Sequence, residues 1–118
     1  MHELSIVLNI VEMVEKEARN AGAQAISVIE LDIGRLSTIE PAAFEFAWKH
    51  GTRNSLLEES ELMINYINGK GKCSECQHQF EIEAHYDPCP ECGSYFSEVT
   101  EGEELRIKSI RIEEKLKT

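Results

Sequence analysis

The stretch K-C-S-E-C-Q-H-Q-F-E-I-E-A-H-Y-D-P-C-P-E-C-G, residues 72–93, decides how this chain is divided. It holds all four cysteines, Cys73, Cys76, Cys89 and Cys92, as two C-x-x-C knuckles with twelve residues between them. Each knuckle is a tight turn that aims two sulfurs at one point, and two such turns complete a tetrahedral S₄ cage of the kind that suits Zn²⁺. Gly93, just after the second knuckle, is expected to permit a close backbone approach. A closed cage has no vacant coordination position, so the expected role is structural. Its metal-binding free energy is then largely the folding free energy of the surrounding module. His78 and His85 both read by default as ordinary exposed histidines, though His78 lies near enough to Cys76 to compete for zinc when acid protonates thiolates.

Outward from the knuckles, N-G-K-G-K (68–72) breaks the preceding pattern, and residues 69–101 show little helical or strand periodicity. On the amino-terminal side, Leu4, Val7, Leu8, Val11, Val14 and Ala18 recur at spacings of three and four. That pattern predicts a helix over Glu3–Ala21, with Gly22 as its stop. Ile29, Leu31 and Ile33 alternate with Glu30 and Asp32, which predicts a strand with one buried face. Ser37 or Thr38 is the expected cap of a second helix, with Pro41 in its first turn, Phe44, Ala47 and Trp48 on the core side, and Gly51 near its end. A second strand is expected at 61–67. A third is expected in E-L-R-I-K-S-I-R-I-E-E (104–114), where the alternation slips at Ser109 and suggests a bulge. The expected fold class is α+β: two helices packed on a three-stranded sheet, with an inserted zinc-ribbon-like module. The expected domains are 1–68 plus 102–118, and 69–101.

With 118 residues, 42% hydrophobic and 29% charged, the chain has the composition of one globular domain carrying a small added module. Its formal net charge of −10 opposes binding to nucleic acid or anionic membranes. Residues 69–100 carry two lysines against six carboxylates, the opposite of a nucleic-acid reader. No apolar run is long enough to span a membrane, and the acidic first twenty residues do not read as a secretion signal. A cytoplasmic location is expected, with the cysteines as metal ligands rather than disulfides. Three other readings fit a four-cysteine module: a zinc-ribbon module that binds nucleic acid or protein without a transferable metal, a zinc hydrolase, and a purely structural subunit. A hydrolase needs an open metal position that four cysteines do not leave. A redox C-x-x-C would need a thioredoxin-like setting that is missing.

The chain opens M-H-E-L. The Met1 amine and the His2 amide nitrogen would close a five-membered chelate ring, and the His2 amide and its Nδ1 a six-membered one. With the Glu3 amide or a carboxylate added, the set is tetragonal and nitrogen-rich, which suits Ni(II) or Cu(II). The first N–H groups of a helix have no intrahelical acceptor, so giving one up sacrifices no helix bond. The opposing helix dipole, about 0.3–1 kcal/mol, is small beside a multidentate chelate. By position alone, a solvated histidine at a frayed end would be the ordinary reading.

M-H-E-L-S-I-V at the start, the length, and C-S-E-C…C-P-E-C late in the chain together resemble the HypA/HybF family, the nickel metallochaperones of [NiFe]-hydrogenase maturation. The resemblance covers essentially the whole chain. It implies a structural zinc site at Cys73, Cys76, Cys89 and Cys92, and a transferable Ni(II) site at Met1, His2 and Glu3, with Glu40 in T-I-E-P as a further candidate. A glutamate before Pro41 is also a common first-turn helix acid. Gly93 stands where some relatives carry a histidine, so their paired-histidine zinc exchange is not carried over. The resemblance implies no catalysis. It implies HypB GTPase and the hydrogenase large subunit as partners, urease maturation in some organisms, and a monomer or homodimer.

Overall fold

In a computed structural model the structure describes residues 3–114. The element order is α1 (Glu3–Asn20), β1 (Ala23–Gly34), α2 (Pro41–Gly51), β2 (Glu61–Ile67), β3 (Gly69–Cys73), β4 (Gln79–Ile82), β5 (Ser97–Glu101) and β6 (Leu105–Glu114). The strands form two three-stranded sheets, β2-β1-β6 and β4-β3-β5. The chain divides into two compact units, one of Met1–Leu31, Ile39–Met63 and Ile107–Thr118, the other of Asp32–Thr38 and Ile64–Arg106.

In the first unit, α1 buries Val7, Ile10, Val11, Val14 and Ala18. Leu4 and Leu8, expected on the same stripe, are instead about half exposed. The core-facing arc takes in Ile10 instead. Gly22 ends the helix as expected: it adopts φ +77°, and its N–H donates to the Arg19 carbonyl at 3.0 Å. From β1, Ile26, Ile29 and Leu31 enter the same core, and from α2 come Phe44, Ala47 and Trp48, with Leu57 beneath. Each fully buried aliphatic or aromatic side chain here is worth about 1.5–3 kcal/mol. Glu15 turns inward to accept the Leu56 N–H at 3.0 Å, tying α1 to the segment before β2.

The expected cap of α2 is corrected. Ser37 Oγ donates to the Gly34 carbonyl at 2.6 Å, closing the turn after β1, and the N-cap is Glu40. Its carboxylate accepts the Ala43 N–H, and Pro41, with no N–H to satisfy, occupies the first helical position.

In the second unit, the end of β1 is buried on both faces, which corrects the expectation of a solvated polar side. Asp32, only 4% exposed, accepts from Asn65 Nδ2 of β2 at 3.0 Å and from Arg106 Nε of β6 at 2.8 Å. A carboxylate withdrawn this far from water is stabilised by an opposite charge and a further donor. The hydrogen bond to Asp32 also pushes the Arg106 guanidinium above its ordinary pKa.

Residues 69–101, which looked patternless, contain a sheet. β3 is its centre, antiparallel to β4 (Gly69↔Ile82 through Lys72↔Gln79) and to β5 (Lys70↔Glu101 through Cys73↔Ser97). Its burial alternates, with Gly69, Gly71 and Cys73 inside, but glycines occupy the inner positions, so no hydrophobic alternation marks the strand in the sequence. Gly69 and Gly102, where the module begins and ends, lie against each other. A Cβ on Gly102 would meet the Gly69 Cα at 2.6 Å, and one on Gly34 would collide with the Gly102 carbonyl. The chain is locked there by bonds from the Gly34 N–H to Glu104 O and from the Leu36 N–H to Gly102 O, each 2.7 Å.

Candidate metal centres

The two knuckles are built alike. In the first, Cys73 N–H donates to the His78 carbonyl at 2.9 Å and the Gln77 N–H returns to the Cys73 carbonyl at 3.0 Å. In the second, Cys89 N–H donates to the Ser94 carbonyl at 2.8 Å and the Gly93 N–H returns to the Cys89 carbonyl at 2.8 Å. Gln77 and Gly93 hold the same position in each turn, at φ +67° and +77°. This corrects the reading of Gly93: a Cβ there would meet nothing within 4 Å, so what the turn asks of it is a left-handed backbone, not a close approach.

The result brings all four sulfurs together, every Sγ within 4.8 Å of the others. Cys73 Sγ lies 3.5 Å from Cys92 Sγ and Cys76 Sγ lies 3.6 Å from Cys89 Sγ. These separations are far too long for disulfides. They approach the edge of about 3.8 Å that a tetrahedron with metal–sulfur bonds of about 2.3 Å would have. The donor set is soft, closed and four-coordinate, so the residues present fit a zinc ion. Cys73 and Cys89 are buried while Cys76 and Cys92 are exposed, so the cage has an inner and an outer side. The cluster consists of the four cysteines; the His78 ring stacks on Phe80, centroids 6.0 Å apart. His85 Nε2 pairs instead with Glu103 at 3.0 Å.

The thiols do not ionise alike in the absence of a metal. The Cys76 N–H, chiefly, lowers Cys73 to about 7, against an opposing effect of burial. For Cys76, the amide of His78 pulls downward, but burial and the neighbouring sulfurs outweigh it and push the thiol up to about 12. Cys92 is raised too: the amide of Ser94 pulls it down, but the Cys73 sulfur and burial prevail. Four negative sulfurs at these distances repel one another, and a divalent cation is what allows all four to be thiolates.

Of the residues expected at a nickel site, Met1 and His2 lie outside the described residues. Glu3 and Glu40 are brought together: Glu3 Oε2 accepts the Glu40 N–H at 3.2 Å, while Glu40 Oε2 accepts the Ala43 N–H. Glu40 therefore has a helix-capping task whatever else it does. We expect Glu40→Ala to lose about 1 kcal/mol of stability and Glu40→Asn, which still caps, to lose much less, as measured by denaturant unfolding. A drop in Ni(II) affinity in Glu40→Asn would add a ligand role to the structural one. The Asp32–Arg106–Asn65 cluster escaped sequence reasoning, since Asp32 sits at an alternating polar position like Glu30 and nothing local marks it as paired.

The family model described as hydrogenase/urease nickel incorporation, metallochaperone, hypA, matches residues 1–112. A hydrogenase maturation factor HypA from Parabacteroides distasonis is 46% identical, over 95% of this chain and 97% of that one. One from Geobacter metallireducens is 42% identical, over 96% of this chain and all of that one. The fold is similar to the solution structure of the Ni metallochaperone HypA from Helicobacter pylori, with a TM-score of 0.69 and 27% identity, covering 98% of this chain and all of that one. Sequence matched nearly end to end, two helices with two small sheets, and a four-cysteine cluster able to hold zinc lead to one assignment: the chain belongs to the HypA family of nickel metallochaperones for hydrogenase maturation.

Proposed function

We propose that this chain accepts Ni(II) at its amino terminus and passes it on for maturation of [NiFe]-hydrogenase. The donors are the Met1 amine, the His2 amide and ring, and the Glu3 amide or a carboxylate from Glu3 or Glu40. Zinc stays in the Cys73–Cys76–Cys89–Cys92 cage and shapes the module over 69–101, while residues 1–68 and 102–118 carry the transferable metal. The partners are HypB GTPase, which works with the chaperone, and the hydrogenase large subunit, which receives the ion, in the cytoplasm where thiols stay reduced.

The observation that carries this reading is the contact of Glu3 with Glu40. It joins two of the expected residues at the head of α1, where helix N–H groups lack intrahelical acceptors and a metal can displace a proton without breaking a helix bond. A site at a chain end is open to a receiving partner, whereas a closed thiolate cage is not. Equilibrium titration of Ni(II) into untagged protein, with intact mass confirming the free Met1 amine, should give about one tight site per chain. Protein whose Met1 amine is acetylated should lose most of that affinity, because the amine donor that closes the five-membered ring is blocked. Equal binding by both forms would move the site away from the terminus and leave a zinc-ribbon module without transferable metal as the better reading.

A further inference from the structure

Ser97 Oγ is buried and, among the described residues, is the one such side-chain oxygen or nitrogen without a hydrogen-bond partner. Its place in the sheet is informative. Ser97 begins β5 and is the antiparallel partner of Cys73, the buried cysteine of the first knuckle. The next pair along, Ser74 and Phe96, is joined by the Ser74 N–H to the Phe96 carbonyl at 2.8 Å. Hydrogen-bonded and non-hydrogen-bonded pairs alternate in an antiparallel ladder, so Cys73 and Ser97 form a non-hydrogen-bonded pair. Such pairs bring their side chains closest, on one face, with Cα atoms about 4.5 Å apart.

A buried hydroxyl with no acceptor is an unfavourable arrangement unless some state of the protein supplies one. The adjacent sulfur is that acceptor once it is ionised. Cys73 is fully buried, so water can solvate its charge least among the four; its Sγ takes the Cys76 N–H at 3.5 Å, and a thiolate has lone pairs for a further donor. Serine hydroxyls turn about χ1 between staggered wells at little cost.

We propose that Ser97 is a positioning residue of the cysteine cage, its hydroxyl donating to Cys73 Sγ when that sulfur is bound to zinc. This rests on the reading of the four cysteines as zinc ligands. By withdrawing charge from the thiolate, the hydroxyl holds Cys73 in its ligating rotamer and slows metal loss. Supporting hydrogen bonds of this type to metal ligands commonly govern affinity by about 10–100-fold.

The experiment compares wild type, Ser97→Thr and Ser97→Val, since the last two share a shape and differ in the hydroxyl. Zinc content is measured first, then the rate of zinc transfer to a chromophoric chelator, then the sulfur-to-metal charge-transfer band of the Co(II)-substituted proteins. Ser97→Val should release zinc about 10-fold faster than wild type, with Ser97→Thr close to wild type. The Co(II) band should move to longer wavelength in Ser97→Val alone, because a sulfur without its hydrogen bond gives up charge more easily. Thr and Val variants that match in both readouts would overturn the proposal, as would faster release in Ser97→Val with an unmoved band, which would mark a packing role. Ser97→Ala replaces Ser97→Val if the latter does not fold. A wild-type chain without zinc would overturn the zinc reading itself, a result distinct from full zinc occupancy with unresponsive variants.

Discussion

His2→Ala is expected to lose Ni(II) affinity by more than the roughly 10–100-fold typical of removing a residue that merely supports a ligand. The imidazole supplies one donor and closes the six-membered ring that shares the His2 amide with the amine-side ring. Its loss leaves a bidentate fragment with no strong field to drive amide deprotonation. Tetragonal Ni(II) with amide nitrogens is recognisable by its d–d absorption, so the titration can be followed by that band and the variant should not develop it. His2 precedes Glu3, where α1 begins, so the far-ultraviolet dichroism should stay that of wild type. Undiminished affinity with an unchanged band in His2→Ala would reject the terminal site. Retained affinity with a changed band would reject the ring as a donor while leaving the amine in place.

Cys73→Ser should abolish stoichiometric zinc and unfold the β4-β3-β5 sheet. The serine oxygen is a poor soft-metal ligand. The module has little else to hold it: among its large apolar residues only Ile82 is buried, while Tyr86, Tyr95 and Phe96 stand in solvent. Structural zinc supplies about 10–16 kcal/mol of apparent binding free energy in small zinc-finger peptides, more than a sheet of this size can replace. Amide exchange across 69–101 should therefore rise to that of an open chain, and a variant that kept both its zinc and its protection would contradict the structural role.

Acid should reproduce this loss. Without metal the Cys76 thiol is held neutral up to about 12, by burial and its neighbouring sulfurs against the pull of the His78 amide, and Cys73 sits at about 7. Zinc binding near neutral pH must then expel at least the Cys76 proton, so affinity rises with pH and falls as protons compete for the sulfurs. Calorimetry in buffers of different ionisation enthalpy counts the protons released. A count of zero would contradict thiolate ligation.

Much of the first unit was legible. The spacing of Val7, Val11, Val14 and Ala18, the alternation of Ile29, Leu31 and Ile33, and Pro41 in a first turn each carry a local signature that the structure reproduces. Leu4 and Leu8 misled because a helix stripe shows only that a face is apolar, not how much of it neighbouring elements cover. The inner sheet was illegible because glycines at 69 and 71 occupy positions where a strand ordinarily shows hydrophobic side chains. Asp32 was illegible for a different reason: its partners, Asn65 and Arg106, are far along the chain and meet it only after three strands have assembled. For the four-cysteine cluster, the regular C-x-x-C spacing was decisive. The Glu3–Glu40 contact depended on how the turn after β1 returns to the head of α1, which no spacing encodes.

The meeting of Gly69 and Gly102 has a consequence for descent and for engineering. A segment whose entrance and exit touch can be lengthened, trimmed or exchanged without rerouting what flanks it, since any graft has only to bridge a gap of one residue contact. Lineages can thus vary the interior of this appendage wherever the four cysteines and their turns are kept, while its threshold, where a single added methyl has no room, tolerates almost no variation.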